Sequence, residues 1–209
     1  MVVTELSKKG NWVKILFDDD EFFNIPYELF VKNNIHVGDD ISEDEFSKIK
    51  LQTNIYQIKQ SSFKYLALRN HSNYELKIKL LKKGFEKNLI ENVLIDLTNS
   101  GFMNDQIFAE NYFQSQLRKK KGLLKIQAEL IKKGIGREII REVGKKFDDD
   151  FLNESTVYEI GIKKFNSLKQ KNNSNIQIKQ KLFSHLVNKG FTIDIIGKAI
   201  ARIMKEDYE

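Results

Sequence analysis

Four consecutive cations, Arg118-Lys119-Lys120-Lys121, form the densest concentration of chemistry in this chain of 209 residues. They stand ahead of Gly122-Leu123-Leu124-Lys125, where one helix is expected to end and another to begin. Lysines near a helix C-terminus interact favourably with its partial negative charge. That accounts for part of the run but not for four in succession, so an exposed patch facing an anionic or acidic partner is expected. Asp18-Asp19-Asp20 is the acidic counterpart. Mg²⁺ binding recruits converging oxygens, whereas three adjacent carboxylates on a tight turn diverge, so a solvated turn is expected there. His36, His71 and His185 lack metal-ligand spacing such as H-E-x-x-H. Gly197-Lys198 is followed by alanine and lacks the upstream glycine of a phosphate loop. There is no G-x-G-x-x-G fingerprint and nothing resembling a nucleophile elbow. The absence of cysteine removes disulfides, zinc ribbons and thiol catalysis together. A non-enzymatic protein without cofactor or metal is expected.

The net charge of +6 is unevenly spread. Residues 1–60 contribute −4 and residues 61–209 contribute +10, so an acidic module precedes a basic one. One proline, Pro26, and 11 glycines favour long uninterrupted helices over a turn-rich β body. No stretch approaches the ~18–20 consecutive apolar residues of a membrane span. The opening MVVTELSKKG lacks the charged-then-apolar order of a secretory signal. A soluble, cytoplasmic protein is expected.

The elements that must position these charges fall into two kinds. Trp12-Val13-Lys14-Ile15-Leu16-Phe17 and Glu21-Phe22-Phe23-Asn24-Ile25, separated by the Asp triplet, predict a β-hairpin. A lone hairpin is marginal, and Val2-Val3-Thr4-Glu5-Leu6 is the candidate third strand. Short helices are expected over 27–32, after Pro26, and over 44–50.

From Gln60 the pattern is helical and repeats on Lys-Gly-apolar: Lys83-Gly84-Phe85, Lys133-Gly134-Ile135 and Lys189-Gly190-Phe191. Eight residues before each glycine stand Leu76, Ile126 and Leu182; four before stand Leu80, Leu130 and Leu186. Leu89-Ile90, Ile139-Ile140 and Ile195-Ile196 follow at one offset, then Val93, Val143 and Ala199 at another. Apolar residues at i, i+4 share a helix face. The glycine then suits the left-handed residue that closes a helix, with lysine in its last turn. Ser72-Asn73-Tyr74-Glu75 has the form of a capping box, and Asn104-Asp105 and Asn153-Glu154-Ser155 read as helix starts.

The expected architecture is mainly α. It is an elongated array of three tandem three-helix repeats, helix-turn-helix-like, behind a small β-rich N-terminal module. The module spans 1–60, and the repeats span 61–104, 105–153 and 154–209.

On a helical wheel, one arc of each central helix carries no large apolar residue. The arcs hold Glu75, Lys79, Lys82 and Lys83; then Lys125, Glu129, Lys132 and Lys133; then Lys181, His185, Asn188 and Lys189. Stacked repeats would align these into a basic stripe, although a solvated helix face gives the same composition. The helix after each glycine resembles the second helix of a helix-turn-helix. Glu86, Glu91, Glu138 and Glu142 on those helices would be repelled by phosphates, so base-specific reading of DNA is not expected. Tyr65, Tyr74, Tyr112 and Phe113 are assigned mainly to the core.

Several stretches after residue 60 resemble the RecX family of regulatory proteins, modulators of the RecA recombinase. They include Tyr65-Leu66-Ala67-Leu68-Arg69-Asn70-His71-Ser72-Asn73-Tyr74-Glu75-Leu76 and Leu80-Leu81-Lys82-Lys83-Gly84-Phe85. Gly101-Phe102-Met103-Asn104-Asp105, Phe108-Ala109, Arg118-x-x-x-Gly122, Leu130-Ile131-Lys132-Lys133-Gly134-Ile135 and Lys189-Gly190-Phe191 continue the series. Their order and spacing carry the resemblance more than any single piece. His71 departs from it, standing where such proteins often carry another basic residue.

The resemblance, and not the periodicity, implies that the array of repeats is curved and lodged in the groove of the RecA–DNA filament. There it would inhibit the recombinase and its coupled ATPase, and so modulate DNA repair, homologous recombination and the SOS response. RecA is then the expected partner, with single- or double-stranded DNA as a second. The chain is expected to act as a monomer without membrane association. Arg69, the Arg118–Lys121 run and the arc lysines are the candidate contacts. A nucleic-acid-binding helical module independent of RecA is the alternative.

Overall fold

The structure is a computed structural model describing residues 1–147, 150–171 and 173–207, with only the backbone described for 150–153. It divides into two compact units, one formed by Met1–His71 and Glu75–Met103, the other by Ser72–Tyr74 and Asn104–Glu209.

The first unit opens with an antiparallel meander of β1 (Val3–Lys9), β2 (Trp12–Phe17) and β3 (Phe22–Pro26). The candidate third strand is therefore present, paired along β2 from Val3↔Phe17 to Lys9↔Trp12. Alternate residues of a strand point to opposite faces. Val13, Ile15 and Phe17 accordingly bury one face with Val3, Ile25, Ile35, Ile41 and Ile49. The Asp triplet makes the β2–β3 turn. Asp20 takes the left-handed conformation there, and Asp18 and Asp19 accept bonds from the backbone N–H groups of Val2 and Glu21. Two of the three carboxylates are thus committed to closing the turn. Helix α1 (Tyr27–Lys32) follows Pro26 directly.

One expectation is overturned here. Instead of a short helix over 44–50, a single helix α2 runs Glu43–Leu68 across the supposed boundary at residue 60. Ser42 and Glu45 form a full capping box at its start. Its buried positions are Ile49, Thr53, Ile58 and Ser62. Two of these four are hydroxyl residues, which breaks the apolar period that would have signalled continuity. The Ser62 hydroxyl donates to the Ile58 carbonyl at 2.8 Å, so burying it leaves no orphan donor.

The remaining helices are α3 (Asn73–Leu81), α4 (Lys87–Asn99), α5 (Asp105–Arg118), α6 (Leu123–Lys132), α7 (Arg137–Lys146), α8 (Asp150–Lys169), α9 (Asn175–Lys189) and α10 (Ile193–Glu206). Asn104 caps α5 by accepting from Gln106 and Ile107. The start expected at Asn153-Glu154-Ser155 lies inside α8, and the Asn153 side chain lies outside the described residues.

Every repeat position named from the sequence at offsets −8, −4, +6 and +9 is buried: Leu76, Ile126, Leu182; Leu80, Leu130, Leu186; Ile90, Ile140, Ile196; Val93, Val143, Ala199. They build separate cores, one around α2, α3 and α4, one around α5, α6 and α7, and a divided one around α8, α9 and α10.

Each central helix ends in the same reversal. Gly84, Gly134 and Gly190 have φ of +86°, +77° and +91°. The N–H groups of Phe85, Ile135 and Phe191 reach back to the carbonyls of Leu80, Leu130 and Leu186. The glycine N–H groups reach those of Leu81, Ile131 and Val187. This is the Schellman arrangement, and it needs the left-handed residue that glycine supplies at low cost.

Within the second unit these reversals also serve as sockets. The Ser72 hydroxyl donates to the Lys133 carbonyl at 2.6 Å. Twelve residues before its own repeat's glycine, as Ser72 is, Gly122 donates its N–H to the Lys189 carbonyl at 2.8 Å. Leu124 adds an N–H to the Gly190 carbonyl at 3.1 Å. A Cβ at Gly134 would overlap Tyr74, and one at Gly190 would overlap Lys125. Helix α9 opens differently, with a capping box of Ser174 and Gln177, and Ile178 N–H donates to the Ser174 carbonyl at 2.8 Å.

Alanine substitutions separate conformation from packing. Gly84→Ala, with open space around it, is expected to cost about 1–2 kcal/mol from the left-handed φ alone. Gly134→Ala and Gly190→Ala should each lose a further ~1–3 kcal/mol from overlap. Gly197→Ala, in the interior of α10 with nothing near it, should instead stabilise by about 0.8–1 kcal/mol. Urea denaturation of the four variants tests this order and the reversal of sign.

Candidate functional site

Only some of the candidate cations, Lys79, Lys82, Lys83, Lys132, Lys133 and Lys189, stand at the ends of the central helices beside the glycine reversals. In the first unit, Tyr65 near the end of α2 presents its ring to two lysines of the α3 arc. Lys79 Nζ lies 4.7 Å and Lys83 Nζ 5.3 Å from the ring centroid. Lys83 Nζ is also 3.3 Å from Ser61 Oγ. Like charges one helical turn apart repel, and the negative face of the ring offsets this, with a cation–π contact worth ~0.5–1 kcal/mol at an exposed site. Tyr65 is therefore a platform for two cations as well as a core contact. Arg69 is tied down differently, donating to Glu75 at 2.9 and 3.4 Å and to the Asn70 carbonyl at 2.7 Å. Lys82 is exposed and makes no ion pair among the described residues.

His71, flagged as the departure from the family pattern, is buried, with Nδ1 2.9 Å from the Arg69 carbonyl. Burial pushes its imidazole below the ordinary value, outweighing that hydrogen bond. It supports the turn as a neutral group and supplies no surface charge.

In the second unit the run Arg118–Lys121 does not form the patch of four exposed cations expected from the sequence. Arg118 ends α5, Lys119 caps it, and Lys120 adopts a left-handed φ of +56° that turns the chain into α6. That reversal sends the last two side chains to carboxylates. Lys120 pairs with Glu159 at 2.5 Å, and Lys121 reaches both oxygens of Glu129 at 2.6 and 2.8 Å. Tyr112 also donates to Glu129, at 2.8 Å. Burial pushes the Glu129 carboxyl up, but the bonds from Lys121 and Tyr112 outweigh it and hold the group below the usual range. Glu159 is lowered by its bonds from Lys120 and Lys163. Arg118 and Lys119 stay exposed without an ion pair among the described residues. Half of the run is thus structural.

The other arcs are similarly mixed. Lys125 donates to the Asn188 carbonyl at 2.9 Å, which brings the start of the α6 arc to the end of the α9 arc beside Lys189. Lys133 lies 5.1 Å over Tyr112 and 6.0 Å over Phe108. Lys181 donates to Asn173. Lys132 and Lys189 make no ion pair among the described residues. Burial first, then Lys164 and Lys189, lower the His185 imidazole, so the third arc gains no charge from it at neutral pH. Among the described residues, Lys79, Lys82, Lys83, Arg118, Lys119, Lys125, Lys132, Lys181 and Lys189 make no ion pair with a carboxylate, and Lys79 and Lys83 are oriented by a ring.

One group escaped the sequence reading. Arg137, Arg141 and Lys145 form an exposed i, i+4, i+8 row on α7. The row faces Leu123, Gln127 and Ile131 of α6 across a groove of about 390 Å³. Its spacing was visible, but Glu138 and Glu142 on the same helix argued against that surface. In the structure Glu138 sits beside Arg141 at 3.0 Å.

Residues 59–97 match the family model for the first three-helix domain of RecX, and residues 104–143 match that for the second. Regulatory protein RecX of Chlorobium limicola is 35% identical over 145 residues, covering 69% of this chain and 87% of that protein. The chain belongs to the RecX family. Regulatory protein RecX of Clostridium perfringens (strain SM101) is 29% identical over 205 residues, 98% of this chain and 96% of the relative. The RecX fold extends to solved structures. A crystal structure of regulatory protein RecX superposes with a TM-score of 0.73 at 18% identity, covering 93% of this chain and 96% of that one. RecX from Lactobacillus salivarius gives 0.64 at 24% identity, covering 72% and 96%. Among the described residues no helix is long and apolar enough to cross a membrane, and no cluster of His, Asp and Glu could hold a metal.

The two lowered histidines give this member of the RecX family a defined acid response. As pH falls below about 6.5 the unfolded chain takes up protons first. Their stabilisation is therefore complete above that pH and is lost as pH falls toward the folded values. The thermal midpoint should be lower at pH 5.5 than at pH 7.5. In His71→Gln/His185→Gln the difference should shrink; an undiminished difference would assign it elsewhere.

Proposed function

We propose that this protein is a non-enzymatic regulator that binds the RecA–DNA filament in its groove and inhibits the recombinase and its coupled ATPase. It would thereby restrain homologous recombination and repair in the cytoplasm, as a monomer and without a cofactor. The observation that carries this reading is membership of a family whose relatives are named regulatory proteins. Among the described residues Lys83, Lys132 and Lys189, beside the reversals of the three repeats, make no ion pair with a carboxylate, which is compatible with it. A filament built on DNA presents phosphates, and positive side chains without carboxylate partners are those able to meet them. The repeats 61–104, 105–153 and 154–209 are taken as the parts that engage the filament, with 1–60 as an acidic module that tunes affinity by repelling phosphate.

The second reading, a nucleic-acid-binding module independent of RecA, draws on the same cations. Salt discriminates. A direct phosphate binder loses affinity linearly in log–log terms with no recombinase present. Weak, salt-insensitive DNA binding by the isolated chain would favour the filament.

The ion pairs determine which residues to change. Arg118→Glu/Lys119→Glu removes cations that no carboxylate holds. It should weaken inhibition of RecA's DNA-dependent ATPase on the order of tenfold, ~1.4 kcal/mol of binding, with the helical circular dichroism spectrum retained. Undiminished inhibition would remove this patch from the mechanism. Charge reversal at Lys120 or Lys121 should lower stability itself, because Glu159 and Glu129 lose their partners.

A further inference from the structure

The groove between α6 and α7 has two unlike walls. On α6 stand Leu123, Gln127 and Ile131, and on α7 stand Arg137, Arg141 and Lys145, each set spaced i, i+4, i+8. Such residues are stacked one above another along a helix, so both walls run about two turns, roughly 12 Å. Ile131 is 52% exposed. Arg137 and Lys145 make no ion pair among the described residues.

The first repeat shows what fills the corresponding position when it is closed. Seven residues before Gly84 and seven after it stand Lys77 and Glu91, which pair across α3 and α4 at 2.6 Å. In the second repeat the same two offsets are Gln127 and Arg141. The carboxylate that bridges the helices in the first repeat has been replaced by a cation, and its lysine partner by a neutral amide. Arg141 retains only Glu138, an exposed neighbour on its own helix, and exposed pairs of this kind are worth a few tenths of a kcal/mol. In the third repeat the row offsets are Ile193, Gly197 and Ala201, so the cationic wall belongs to the second repeat alone.

The geometry points to a docking site for an acidic amphipathic helix of a partner protein. Its carboxylates would meet Arg137, Arg141 and Lys145, and its adjacent apolar stripe would cover Ile131 and Leu123. Charge complementarity selects the acid. The apolar wall, together with Glu138 and Glu142 exposed on α7, selects a peptide over a nucleic-acid backbone, which would gain nothing from isoleucine and be repelled by the carboxylates. An amphipathic helix laid in a groove is read through anchors at i, i+3, i+4 and i+7, which matches two-turn walls. The inference is independent of the filament reading, since it concerns neither the glycine reversals nor the lysines on them.

The test uses the full chain and a fluorescein-labelled helical peptide of about two to three turns, with leucine at i and i+4 and glutamate on the flanking stripe. Fluorescence anisotropy should show saturable binding. Arg137→Glu/Arg141→Glu and, separately, Ile131→Ser should each weaken it at least about tenfold, ~1.4 kcal/mol. Lys171→Glu/Lys179→Glu, an equal charge change at exposed lysines elsewhere, should leave it intact. A peptide with glutamine for glutamate should fail to bind. Circular dichroism checks the fold, and if Ile131→Ser is unfolded the two-arginine variant decides alone. No saturable binding would overturn the proposal, as would equal loss in the Lys171/Lys179 control. So would an oligo-dT strand that competes with the peptide and depends on the same two arginines, which would make the groove a nucleic-acid site.

Discussion

The backbone reversal at the end of each central helix is the constraint on which the rest of the molecule hangs. A helix leaves its last carbonyls without intrahelical partners. At Gly84, Gly134 and Gly190 the left-handed residue returns its own N–H and the next one to those carbonyls, and the apolar residue that follows packs back over the same turn. The direction of the following helix is thereby set within three residues. Leu80, Leu130 and Leu186, whose carbonyls receive the longer of the two bonds, are also fully buried core residues. One local geometry therefore ties helix termination to core packing three times over.

The same reversal determines how charge is displayed. A lysine stands immediately before each glycine, and the carbonyls of Lys133 and Lys189 accept bonds from Ser72 and Gly122. In two repeats an aromatic residue of the leading helix receives the lysine side chain, Tyr65 for Lys83 and Tyr112 for Lys133. Such a contact orients the Lys83 ammonium without neutralising it, unlike the carboxylates that hold Lys120, Lys121 and Arg69. Charge without a countercharge is available to a partner; charge in an ion pair holds the protein's own elements together. Counting lysines cannot make that distinction, because it depends on which carboxylate the chain path brings within reach.

That difference marks how far the sequence could be read. The triple repeat was legible because leucine, glycine and lysine recur at fixed offsets, and burial at those offsets is dictated by helix geometry alone. The β-meander was legible from alternation and turn residues. Helix α2 was not, because Thr53 and Ser62 occupy inward positions and interrupt the apolar period. The roles of Lys120 and Lys121 were hidden because Glu159 is 39 residues away from one and a left-handed Lys120 redirects both. The α7 row was visible but discounted, since sequence shows Glu138 and Glu142 on the same helix without showing the opposing wall of α6.

Ser72 and Gly122 hold equivalent places, and both reach the lysine carbonyl of the succeeding reversal, one through a hydroxyl and the other through the main chain. The third copy has Ile178 at that place. Its side chain is buried and its N–H is already satisfied by Ser174, because α9 begins a turn earlier. Where Gly122 lends its N–H to another reversal, the third copy uses the equivalent N–H within α9, so an early helix start exchanges a joint between segments for a cap inside one.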